Sequence, residues 1–159
     1  MRRNIVLTGF MATGKTTVGR VLAERLGYEL VDTDAVIEER HGPIPQIFAE
    51  YGEDEFRRLE REVAAELAQR DGLVISTGGR MLLDPVNAEV LGATGDIVCL
   101  TATVDTIVER LDAVGADSRP LLAGHDLRER VTELLGERAD GYAAFTQVAT
   151  DGLTPTEIA

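Results

Sequence analysis

The chain reads as a three-layer α/β/α domain built on a parallel sheet of about five strands. Three observations predict this. Short apolar runs alternate with longer segments of helical period. Those runs are apolar at consecutive positions, as in strands covered on both faces. A glycine-rich turn joins the first run to the first helical segment. The 159 residues, 44% of them hydrophobic, suit one domain with a real core. No repeat, low-complexity tract or linker divides the chain, so a single domain over residues 1–159 is expected.

The elements follow in order. "NIVLTG" is a buried strand, and "TTVGRVLAERLG" a helix in which Val18, Val21, Leu22 and Leu26 recur at helical spacing before Gly27 ends it. "YELVD" is the second strand. "TDAVIEERHG" opens on a capping residue and stops at Gly42. "PIPQIFAEYG" is a short helix with proline in its first turn. "EDEFRRLEREVAAELAQRDG" is a long amphipathic helix with Phe56, Leu59, Val63 and Leu67 on its apolar stripe. "LVIST" is a strand that runs into a Gly-Gly turn. "DPVNAEVLGA" is helical, "DIVCLTA" a strand and "TVDTIVERLDA" a helix. "VGADSRPLLAGHD" has no clear period and carries breakers, so a mobile segment is expected there. "LRERVTELLGERADGYAAFT" is helical, "QVATD" the last strand, and "LTPTEIA" the start of a short terminal helix.

Composition excludes some functions. With 16 Lys and Arg against 28 Asp and Glu, the chain lacks the basic balance of a general nucleic-acid binder. No apolar run approaches the roughly 20 residues of a membrane span, and no secretory signal is legible. One cysteine, Cys99 in the apolar "IVCL", forms no internal disulfide and reads as core packing. A cytoplasmic location is therefore expected, and a monomer, since no long exposed apolar stripe demands a partner.

Gly9, Gly14, Lys15 and Thr16 match G-x-x-x-x-G-K-[ST] between a strand and a helix. Glycines let the backbone approach a phosphate closely, and the helix adds its positive end. Lys15 then reaches the β- and γ-phosphates, and the Thr16 hydroxyl ligates magnesium. Ala12 and Thr13 within the loop and Thr17 in the first turn belong to the same cradle. The fold is thus of the P-loop type, with a nucleoside triphosphate and Mg2+ expected in the cradle.

A cradle alone does not say what receives the phosphoryl group. "DTD" ends the second strand, where parallel sheets bind ligands. Of Asp32 and Asp34, one can organise magnesium and the other accept or orient a hydroxyl proton, and either can cap the following helix. In "EFRRLE", an arginine can hold a carboxylate bidentately or pair with Glu53, Asp54 or Glu62 on the helix surface. "STGGR" can bring backbone to a ligand or be a plain turn.

Taken together, these motifs resemble shikimate kinases. G-x-x-x-x-G-K-T, "DTD", "GEDEFRRLE", "STGG", "DSRPLL" and the arginine–tyrosine spacing of "RADGY" occur in order along nearly the whole chain. The resemblance implies transfer from ATP, with magnesium, to the 3-hydroxyl of shikimate, a step of aromatic amino-acid biosynthesis. It implies that Asp34 binds the ring hydroxyls and acts as base or orienter. Arg57 and Arg138 would hold the carboxylate, and Gly78 and Gly79 would lie against the substrate. Arg119 would meet the phosphates from a lid at about residues 111–124. Arg110 would lie over the adenine opposite Pro155, and Asp32 would help place magnesium. The substrate-binding helical region is expected at about residues 33–61.

Two positions depart from the family pattern. Arg80 stands where the family shows a third glycine. It can turn outward, enter the pocket or pair with the acids near Asp84. Asp140 replaces a proline between Arg138 and Tyr142 and loosens the expected helix boundary. Competing functions are a kinase of a related hydroxy acid such as gluconate, and a nucleotide-binding module that has lost transfer activity. A nucleoside monophosphate kinase fits less well, because the chain lacks a second base-binding insert.

Overall fold

A computed structural model describes residues 3–10, 14–78, 80–114, 127–143 and 145–150. Five parallel strands, β1 (Asn4–Gly9), β2 (Glu29–Asp32), β3 (Leu73–Ser76), β4 (Gly95–Thr101) and β5 (Thr146–Ala149), lie in the order β2-β3-β1-β4-β5. The helices are α1 (Lys15–Leu26), α2 (Thr33–His41), α3 (Ile44–Leu67), α4 (Pro85–Thr94), α5 (Val104–Val114) and α6 (Leu127–Ala143). Apolar side chains on both faces of β1 and β3 explain the layering: Val6, Val74 and Ile75 are fully buried, and Leu7 nearly so. Val6 and Ile75 pack toward α3, whereas Leu7 and Val74 pack toward α1. Gly19 lets α1 approach the sheet closely, since a β-carbon there would lie 3.0 Å from Leu30.

Local chemistry sets the boundaries. Gly27 ends α1 with φ 69°, and its N–H donates to the Ala23 carbonyl. Asp32 caps α2, and Asp84 caps α4 just ahead of Pro85. The two helices expected across residues 43–72 are the two arms of α3. They meet at Gly52, whose φ of 85° breaks the helical path. The second arm stops at Leu67, ahead of a turn through Gly72 (φ 65°). A short 3-10 turn, Met81–Leu83, precedes α4 and was not expected from the sequence; it exists because Met81 and Leu82 bury their side chains. Helix α6 runs unbroken through Asp140, where a proline would have removed an N–H donor. Of the stretch 111–124 expected to act as a lid, residues 111–114 form the last turn of α5, and Leu111 is fully buried. The remainder lies outside the described residues, as does the expected terminal helix.

Among the described residues, no helix is long and apolar enough to cross a membrane.

Candidate active site

Parallel pairing brings the C-terminal ends of β1, β2 and β3 together, because Leu7 is in register with Ser76 and Ser76 with Asp32. Everything chemical in the core of the site hangs from this edge. After β1 the chain turns at Gly9 (φ 137°) and enters α1 from Gly14 (φ 92°). Both backbone conformations lie in the region that favours glycine, which is the physical reason for two glycines in the motif. Gly14 offers its carbonyl to the Val18 N–H at 2.8 Å and starts the helix. The Lys15 ammonium donates to the Gly9 and Phe10 carbonyls, at 2.6 and 3.3 Å. The first turn of α1 carries no acid to oppose its positive end. Thr17 is exposed in that turn.

Thr16 reaches across to the next strands. Its hydroxyl donates to Asp32 Oδ2 at 3.2 Å and lies 3.3 Å from the Ser76 hydroxyl. These are hard oxygen donors of the kind magnesium selects. Among the described residues no cluster of three or more His, Cys, Asp or Glu side chains forms a metal cage. Magnesium does not call for one, since one or two protein oxygens and the substrate phosphates commonly hold it. The two roles open to Asp32 are divided between its oxygens. Oδ1 accepts the N–H groups of Asp34 and Ala35, at 3.0 and 3.3 Å, while Oδ2 faces Thr16.

Asp34 is left out of the cap's acceptor role. Burial, and then the neighbouring charge of Asp32, holds its carboxyl above the ordinary carboxylate range; Lys15 and Arg57 pull it back down. Gly78 leaves it room. A β-carbon at Gly78 would sit 2.8 Å from Asp34 Oδ1 and 3.3 Å from Glu60 Oε2. The Gly78 N–H donates to the buried Thr33 hydroxyl at 3.1 Å and ties the strand end to the start of α2. Gly78→Ala should therefore push Asp34 aside and lower kcat by about a hundredfold with the melting temperature little changed. Steady-state kinetics beside a thermal melt would check this, and unaltered kcat would show that Asp34 is not the group that matters.

The two arginines of "EFRRLE" separate cleanly. Arg58 is a surface residue paired with Glu55 and Glu62. Arg57 points inward: Nη1 donates to Glu60 Oε1 at 2.7 Å, Nη2 to Glu53 Oε1 at 3.2 Å, and the guanidinium stands 5.1 Å from the Phe56 ring centroid. Arg138 is buried on α6, stacked 5.2 Å over Phe10, and bonded to the Tyr142 hydroxyl. Its Nε has no acceptor among the described atoms. A buried guanidinium with an unmet donor suits an anionic ligand. Arg110 donates to the Thr150 hydroxyl and carbonyl, both at 3.2 Å, beyond the end of β5. Ala12, Thr13, Gly79, Arg119 and Pro155 lie outside the described residues.

Arg80 is exposed, with φ −109° and ψ −2°, a conformation any L-residue adopts. The backbone thus makes no demand for a third glycine there. The pairing with Asp84 does not form, because Arg61 Nε already donates to Asp84 Oδ2 at 2.7 Å.

Sequence reasoning did not single out two members of the site. Ser76 ends an apolar strand and looks like the start of a turn. Glu60 is 1% exposed, and its Oε2 has no partner among the described residues. The signal for Glu60 was present: it lies four residues after Phe56 and three before Val63, on the apolar stripe of α3.

Comparison with known proteins gives the family. The shikimate kinase family model matches residues 11–159. A shikimate kinase of Geobacter sulfurreducens is 46% identical over 158 residues, covering 98% of this chain and 86% of the relative. The structure of an Acinetobacter baumannii shikimate kinase in complex with shikimate superposes with a TM-score of 0.90 at 36% identity, covering 99% of this chain and 88% of that one. A gluconokinase of Sinorhizobium meliloti shares the fold at a TM-score of 0.65 and 21% identity, covering 99% of this chain and 89% of that one. From the glycine-lysine loop to the inward arginines, the chain belongs to the shikimate kinase family.

Proposed function

We propose that this chain phosphorylates the 3-hydroxyl of shikimate with ATP and magnesium, giving shikimate 3-phosphate, and that the residues above divide the work as follows. One observation carries the assignment of roles: half-buried Asp34 stands within electrostatic reach of both Lys15, on the phosphate loop, and Arg57, on the acceptor side. A carboxylate in that position can aim an alcohol oxygen at a phosphorus held by the loop.

Gly9, Ala12, Thr13, Gly14 and Thr17 form the cradle, and Lys15 turns from the loop carbonyls to the β- and γ-phosphates. Thr16 and Asp32, with Ser76 beside them, hold magnesium, which when bound neutralises charge on the phosphate oxygens. Asp34 accepts the hydroxyl proton. Arg57 and Arg138 hold the substrate carboxylate, and Gly78 and Gly79 let the ring lie close. Arg110 and Pro155 face the adenine, and Arg119 reaches the phosphates from the stretch at about 115–124. Phosphoryl transfer passes through a loose transition state, so positioning and positive charge supply most of the rate.

The protein works as a cytoplasmic monomer in this reading. The buried thiol of Cys99 suits a reducing compartment, and the large exposed apolar residues described, Leu26, Tyr51 and Val86, lie far apart in the sequence. A coupled ADP-release assay over a panel of hydroxy acids tests the activity. Shikimate should accelerate ADP release far above the ATP-only rate, and gluconate should not. Saturable shikimate binding without turnover would instead indicate a module that has lost transfer.

A further inference from the structure

Glu60 sits in a setting that an ionised carboxylate tolerates poorly. It is 1% exposed, on the inner face of α3. Its Oε1 accepts from Arg57, yet Oε2 has no hydrogen-bond donor among the described residues. Arg57 does not belong to it alone, because the same guanidinium also faces Glu53 at 3.2 Å. From α2, Asp34 presents a second carboxyl: Asp34 Oδ1 and Glu60 Oε2 border the same space, 2.8 and 3.3 Å from where a β-carbon on Gly78 would lie. The third facing acid, Asp84 at the start of α4, is held by Arg61. The Arg57 guanidinium is therefore shared among several acids, of which Glu60 is the one shut away from water.

We propose that Glu60 is a positioning residue that exchanges a proton with solvent in the substrate-free site near neutrality, and that capture of the substrate carboxylate is coupled to its protonation. The inference rests on the proposed binding of shikimate by Arg57. With Glu60 neutral, Arg57 keeps enough charge to attract the incoming anion. With Glu60 ionised, Arg57 is already satisfied, and a further carboxylate meets repulsion. An arriving anion in turn disfavours ionisation of Glu60, so binding near neutrality draws a proton from solution. Burial pushes the Glu60 carboxyl up to about 7, against the downward pull of Arg57, which places the effect in a measurable range. The direction follows: the neutral form binds, so affinity falls as pH rises through that value.

Shikimate titrations by calorimetry, in buffers of different ionisation enthalpy, test this on the whole protein, together with KM for shikimate from pH 6 to 8. Wild type should take up a substantial fraction of a proton on binding at pH 7.5, and its KM should rise about tenfold across the range. Glu60→Gln, which retains an oxygen acceptor for Arg57, should bind without proton uptake and with a KM flat in pH. Asp34→Asn, which removes the facing carboxylate, should retain the uptake but move it toward lower pH, and so excludes Asp34 as the proton's carrier should the Glu60 variant fail to fold. Binding without uptake in wild type, or uptake that persists in Glu60→Gln, overturns the role of Glu60 and leaves the kinase reading intact. No shikimate binding in wild type overturns both.

Discussion

Lys15→Ala should lower turnover about a thousandfold while leaving the protein folded. In the structure the Lys15 ammonium donates to the Gly9 and Phe10 carbonyls at the base of the loop. Those contacts hold a cation in the cradle; they are not core packing, and Lys15 is only half-buried. When phosphates are bound, the same ammonium lies against developing negative charge. A unit charge about 4 Å away in a partly shielded site is worth about 4 kcal/mol, which corresponds to roughly three powers of ten in rate. Single-turnover measurements with saturating ATP and shikimate check this, with a thermal melt as control. Near-normal turnover would show that the backbone cradle and magnesium suffice without the lysine. A collapse of the melting temperature would show that Lys15 serves the loop rather than the phosphates.

The cradle was legible because its chemistry is local. Glycine spacing, lysine and threonine all fall within nine residues, between one apolar run and one helix, and the φ values of Gly9 and Gly14 follow from that turn. The strand order was less accessible, though the count of strands and their parallel character came from alternation alone. The oxygen cluster of Thr16, Asp32 and Ser76 joins three segments separated by 16 and 44 residues. Only the register of β2 on β3 brings Asp32 beside Ser76. The fates of Arg57 and Arg58 depend on which helix face turns inward, and the stripe of Phe56, Leu59 and Val63 carried that information. Glu60 lies on the same stripe, yet one glutamate of the eight charged residues from Glu53 to Glu62 reads as solvated until its burial is seen. Arg80 shows the opposite limit. A break in a glycine run suggests strain, but the backbone at that position is ordinary, and family pattern alone could not reveal it.

Asp34→Asn should cut kcat by about a hundred- to ten-thousandfold with ATP affinity nearly unchanged, the range expected when a positioned base is lost. Asparagine keeps the size of the side chain and can still hydrogen-bond a ring hydroxyl, but it cannot take the proton. Asp34 is suited to take it because burial and Asp32 hold its carboxyl above the usual range, while Lys15 and Arg57 prevent it from rising freely. The sign of the pH effect follows from that direction. The ionised form accepts the proton, so kcat should fall as pH drops through the raised value, at a higher pH than an exposed aspartate would give. In Asp34→Asn that acid limb of kcat should vanish, while the dependence of KM on Glu60 remains. The separation matters physically. Asp34 acts on the reacting oxygen and appears in kcat, whereas Glu60 acts through Arg57 and appears in substrate binding. Equal losses in kcat and ATP affinity would mean that Asp34 supports the loop instead. An acid limb that survives the substitution would assign the proton to another group.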